Sequence, residues 1–176
     1  MNPSPEDTPS RLAPSRMDRL LVDLLHTRRT LALGTLDEAG EPAVSMTPYA
    51  LDPAGPDLII LVSALAAHTR QLLARPRASA LVCAGEDEAD SVHALPRATL
   101  RLEARPSEPG SAEARDALAL YVARHPAGEM LASLPDFTVM RLRVQAARQI
   151  AGFGAARDVS GARLAELLRE SDSAAS

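Results

Sequence analysis

From Ser15 onward the chain switches between two hydrophobic rhythms. Met17, Leu20, Leu21, Leu24 and Leu25 recur at i, i+3, i+4, i+7 and i+8, the spacing of one apolar stripe on an α-helix. Ser15 and Asp18 stand at capping-box spacing just where that helix starts. The period then shortens. Leu31 to Leu36 and Ala43 to Leu51 flank Asp37-Glu-Ala-Gly40-Glu-Pro42 and predict a β-hairpin around a glycine-containing turn. A second turn, Asp52-Pro-Ala-Gly-Pro56, leads into Leu58 to Ser63, an apolar run of strand length. His68 to Ala74 predicts a short helix, which Pro76 stops by restricting its neighbour.

Ala78 to Ala84 predicts a fourth strand, and Gly85 to Pro96 reads as an acidic loop. Ala98 to Ala104 alternates Leu100 and Leu102 with Arg101 and Glu103, the period of a half-buried strand. Ser111 can cap a helix over Ala114, Leu118, Tyr121 and Val122 that ends near His125-Pro126. Phe137 to Val144 is apolar on both faces, which predicts a sixth strand buried on two sides. Gln149 to Gly152 is expected to extend it or pair with it; Gly152-Phe-Gly154 reads as a flexible corner, and Ser160 to Arg169 predicts a last helix through Leu164, Leu167 and Leu168. Hairpins dominate and regular βαβ alternation is missing. The expected fold is therefore mainly β: a six-stranded antiparallel barrel decorated with helices, closed so that its edges disappear.

Length and composition narrow the picture. With 176 residues, 46% of them hydrophobic, the chain suits a single domain over residues 15–170. Residues 1–14, with four prolines among polar residues, and residues 171–176 are expected to be disordered. No apolar run is long enough to span a membrane, and the N-terminus does not read as a signal peptide. Cys83 is the single cysteine, so neither an intrachain disulfide nor a zinc cage is available; it reads as a small buried hydrophobe. These features predict a cytoplasmic protein. The net charge of −4 speaks against a general nucleic-acid surface. Every basic residue is arginine, which rules out a lysine Schiff base.

Chemistry concentrates in Ser63-Ala-Leu-Ala-Ala-His68-Thr69-Arg70-Gln71. The segment follows a buried strand and opens a helix, whose free N–H groups and dipole favour an anion. Ser63 and Thr69 carry hydroxyls and Arg70 a planar cation, so the local residues allow a phosphate cradle or an ordinary capped helix. Elsewhere, His26 reads as a cation at a helix C-terminus and His93 as solvated. His125 reads as a helix stop that could also ligate haem iron. Glu86-Asp-Glu-Ala-Asp90 lacks the glycine and spacing of a calcium loop.

Four stretches, in order, resemble the pyridoxamine 5′-phosphate oxidase-related flavoproteins, especially their haem-utilisation branch. They are Leu31-Ala-Leu-Gly-Thr-Leu-Asp37 with Gly40-Glu-Pro42; Ser45-Met-Thr-Pro48; Leu61-Val-Ser63 with His68-Thr-Arg70 and Arg75-Pro-Arg-Ala-Ser79; and Tyr121-Val-Ala-Arg-His-Pro126 with Gly152-Phe-Gly154. The resemblance implies a split barrel that dimerises and holds FMN between subunits. It places the flavin phosphate on Ser63, Thr69 and Arg70 with His68 and Gln71 beside it, and the ring edge along Ser45, Met46 and Thr47. The chain departs from the branch at Gln71, where asparagine is usual, and after Gly154, where Ala155-Ala156-Arg157-Asp158 replaces an arginine and an aromatic. It also has no room for the branch's extra C-terminal domain, and no substrate-phosphate residues of a true pyridoxamine phosphate oxidase. Three functions stay open: an FMN-dependent oxidoreductase acting on an unidentified small molecule, a haem-binding or haem-degrading protein, and a flavin-free binding module.

Overall fold

The computed structural model describes residues 14–175. The expected disordered arm therefore lies, apart from Pro14, outside the described residues. The first helix, α1 (Arg16–Thr27), starts as its stripe predicts. Ser15 Oγ accepts from Asp18 N at 3.1 Å while Asp18 Oδ2 accepts from Ser15 N at 2.9 Å, so two backbone donors of the helix start are satisfied reciprocally.

Eight strands follow rather than six: β1 (Thr30–Leu36), β2 (Pro42–Pro48), β3 (Ala50–Leu51), β4 (Asp57–Ser63), β5 (Arg77–Cys83), β6 (Arg97–Pro106), β7 (Phe137–Ile150) and β8 (Ala156–Ser160). Helices α2 (Ala67–Ala74), α3 (Ala112–Arg124), α4 (Gly128–Ala132) and α5 (Gly161–Ala175) complete the described chain. All pairings are antiparallel, in the order β2-β1-β5-β6-β7-β4-β3, with β8 also on β7. The sheet curls into a half-barrel, and β2 returns against β4. This is the split-barrel form expected.

The two additional strands have identifiable causes. The predicted second strand breaks at Tyr49, whose N–H turns to Arg29 O at 3.1 Å, and Ala50 and Leu51 then pair with β4 instead. β7 is 14 residues long. One of its edges takes β6 along its length, and the other is divided between β4 and β8. A bulge opposite Arg101/Leu102 shifts the alternation, so the continuation beyond Val144 loses its simple period. Gly152-Phe-Gly154, with both glycines at positive φ, is the turn of the β7–β8 hairpin. The last helix also runs past Arg169 to Ala175, through the stretch expected to be a disordered tail.

Two cores form. Inside the curl, Leu33, Ile60, Leu100 and Leu142 pack with Leu21 and Leu25 of α1 and Leu164 and Leu168 of α5. On the other face of β4 and β7, Ile59, Leu61 and Val139 pack with Ala114, Ala117 and Tyr121 of α3. The two-sided burial expected for Phe137 to Val144 is thus met by α3 within one chain. Cys83, at the end of β5, is only half-buried and packs against the first core.

Candidate functional site

Strand β4 ends at Ser63, the chain turns, and α2 begins. Its N-cap residue, Ala66, has no side chain able to accept a hydrogen bond, so the first turn has no side-chain cap and only Thr69 N turns back, to Ala66 O at 3.2 Å. Around this turn the side chains are already engaged. Ser63 Oγ donates to Asp136 Oδ2 at 2.5 Å and accepts from Leu65 N at 3.1 Å. Thr69, buried, donates its hydroxyl proton to Ser63 O at 2.7 Å. Arg70 is exposed and gives one N–H to Leu65 O at 2.9 Å. Gln71 Oε1 accepts from Thr35 Oγ1 at 2.6 Å. His68 is half-buried, and burial lowers its pKa below the ordinary imidazole value.

Ser63, His68, Thr69, Arg70 and Gln71 are thus brought together on one turn and helix. A groove of about 530 Å³ runs between α2 and the β1–β2 turn, lined by Arg70, Gln71 and Arg75 together with Asp37 and Glu38. Arg75 is spent on the Asp37 and Glu38 carbonyls. Asp136 is a neighbour that the sequence did not announce. It approaches Ser63 across 73 positions, and its setting between Pro135 and Phe137 carries no spacing signal.

Ser45, Met46 and Thr47 lie on β2, at one end of the strand order. They divide between two faces. Met46 points outward and is 68% exposed, whereas Thr47 points inward and is 3% exposed. The hydroxyls of Ser45 and Thr47 are buried with no hydrogen-bond partner among the described residues. β2 has β1 on one side and no strand paired on the other among the described residues, which leaves that edge with backbone polar groups able to meet a ligand.

Fitted against FMN, the donor set is mixed. Ser63 and Thr69 have no proton to spare, and the Asp136 carboxylate beside Ser63 opposes a phosphate. Arg70, the uncapped helix start and the free edge of β2 favour one. The remaining histidines are distributed elsewhere. His125 Nε2 lies 2.8 Å from Tyr49 O and His26 Nε2 3.3 Å from Ser171 Oγ, while His93 is exposed. Burial, with Arg29 and Arg124 nearby and against the Tyr49 carbonyl, lowers the His125 pKa.

Residues 17–151 match the family described as Pyridoxamine 5′-phosphate oxidase. The chain belongs to that family. It is 31% identical over 156 residues to "Heme oxygenase HutZ" of Vibrio cholerae, covering 87% of this chain and 86% of that one. It is 34% identical over 118 residues to "Non-canonical heme oxygenase HOZ, chloroplastic" of Arabidopsis thaliana, covering 66% of this chain and 34% of that protein. A heme binding protein from Mycobacterium smegmatis superposes with a TM-score of 0.78 at 28% identity, over 88% of this chain and 62% of the other. The chain therefore spans about a third of the chloroplast protein and about three-fifths of the mycobacterial one. Among the described residues no helix is long and apolar enough to cross a membrane.

Proposed function

We propose that this split barrel binds haem as its substrate between two copies of the chain and degrades it. The observation that carries this reading is the nearly end-to-end match to a protein named a haem oxygenase. The site's geometry supports it. Two of the three residues assigned to a flavin phosphate spend their protons inside the chain, and a carboxylate sits on one of them. A dimer is supported by exposed apolar side chains such as Phe153 in the β7–β8 turn; leaving apolar area wet is costly. A cytoplasmic setting fits the lone cysteine.

A second reading, an FMN-dependent oxidoreductase on the same barrel, is favoured by the unpartnered hydroxyls of Ser45 and Thr47. Bound there, FMN would supply electron transfer, with Arg70 holding its phosphate and β2 its ring edge. One pair of titrations separates the readings. Haem added to the purified chain is expected to give a one-to-one Soret complex that loses its absorbance under a reductant in air. FMN added to the same chain should compete weakly. A flavin complex that excludes haem and weakens at least tenfold in Arg70→Ala would overturn the haem reading.

A further inference from the structure

We infer that the haem of the proposed function docks on the outer face of the sheet, with its carboxylates on Arg77 and Arg101; the inference rests on that function. Antiparallel partners share a face. The register therefore sets Val44, Gly34, Ser79 and Arg101 in one row across β2, β1, β5 and β6, and Met46, Ala32, Leu81 and Thr99 in the next. Gly34 has no side chain, and a Cβ there would stand 3.0 Å from Ser79 Oγ. The middle of the first row is a low, tightly packed floor. Val44 and Met46, 76% and 68% exposed, form one bank.

The other bank is cationic. Arg77 and Arg101 are exposed, form no ion pair among the described residues, and line one groove of about 640 Å³. As diagonal neighbours on paired strands their Cβ atoms stand about 7–8 Å apart. Glu103, the carboxylate in that groove, is occupied by Arg105 at 3.6 Å and by Gln145 Nε2 at 3.0 Å. From β2 to β6 is three inter-strand steps, about 14 Å.

Haem is a flat apolar disc with two carboxylates on one edge. Over Gly34 and Ser79 its ring meets an apolar bank, while two arginines able to bind carboxylates bidentately stand at the opposite side. The groove beside α2 suits such a dianion less well, because Arg75 is spent on carbonyls and Asp37 and Glu38 line the wall. No histidine occurs on β1, β2, β5 or β6. Recognition there falls on ring and carboxylates, so metal-free protoporphyrin IX is a valid probe.

The test titrates haem, protoporphyrin IX and protoporphyrin IX dimethyl ester into the full chain and its variants. The parent should bind the first two and bind the ester about a hundredfold more weakly. Arg77→Ala and Arg101→Ala should each cost about tenfold for haem, and the double variant about a hundredfold. Ser79→Phe, which fills the floor without changing charge, should cost at least tenfold for both porphyrins. Melting curves of the arginine variants should match the parent, since neither arginine forms an ion pair among the described residues. Haem affinity unchanged in the double variant, or lost only in Arg70→Ala, overturns this site and leaves the haem reading standing. A parent that binds neither haem nor protoporphyrin IX overturns both.

Discussion

At the start of α1, Arg157 and Arg163 converge on the carboxylate of Asp18, at 2.8 and 3.3 Å, whereas Arg77 and Arg101 on the outer face of β5 and β6 form no ion pair among the described residues. Asp18 is 5% exposed and ties α1 to β8 and α5. Gln149 completes the tie, accepting from Arg157 Nε at 2.7 Å and donating to Met17 O at 2.8 Å. Arg124 behaves in the same way: it donates to the carbonyls of Leu25, His26 and Arg28 at the end of α1 and lies 5.6 Å from the Tyr49 ring centre. One residue type thus does two jobs in this lysine-free chain. Half-buried and paired, arginine joins elements; exposed and without an ion pair among the described residues, it is available to an anion from outside.

Asp18→Ala should break this contrast most severely. It removes the reciprocal half of the α1 capping box, the Ser15 N–H to Asp18 bond, and leaves two arginines facing an apolar gap. A loss of about 3 kcal/mol is expected, below the full value for a wholly buried pair because both arginines keep some solvent. In a domain of this size that lowers Tm by about 10 °C, readable by calorimetry.

Acid should expose the same tie more gently. Burial pushes the Asp18 carboxyl upward, but the Ser15 N–H and the Arg157 guanidinium outweigh it and bring the pKa down from 3.8 to about 2. The folded value lies below the unfolded one. The stabilisation is therefore fully present above about pH 4 and is lost as pH falls through about 2, a change of about 2 kcal/mol. Urea midpoints measured from pH 5 to pH 2 should show this slope in the parent and lack it in Asp18→Asn.

The smallest effect belongs to the other group. Arg101→Ala should change stability by no more than about 0.5 kcal/mol, measured by the same urea titration. A large loss there would mean that Arg101 holds structure, and the distinction between the two groups of arginines would fail.

Much of this arrangement was legible along the chain. The stripe from Met17 to Leu25, the Asp37–Pro42 turn and the alternation over Ala98 to Ala104 are local patterns, and local hydrogen bonding and one-sided burial produced the expected elements. β8 was not legible, because Arg157 and Asp158 give a short edge strand no apolar signature; its pairing with β7 makes it a strand. Within the candidate site the same limit applies. Ser63, His68, Thr69, Arg70 and Gln71 are near in sequence and so near in space, but Asp136 arrives from the turn before β7 and Thr35 from β1, and they change what those side chains can offer.

The sequence by itself determined the family, the antiparallel hairpin architecture and the residues of the β4–α2 turn, since each depends on short-range spacing and on order along the chain. Tertiary structure alone decided which hydroxyls keep a free proton, which arginines are consumed, and that α3 rather than a second subunit covers the back of β4 and β7. Those outcomes depend on register and curl. A hydrogen bond or a burial made across 73 or 139 positions exists only once the sheet has closed around its core.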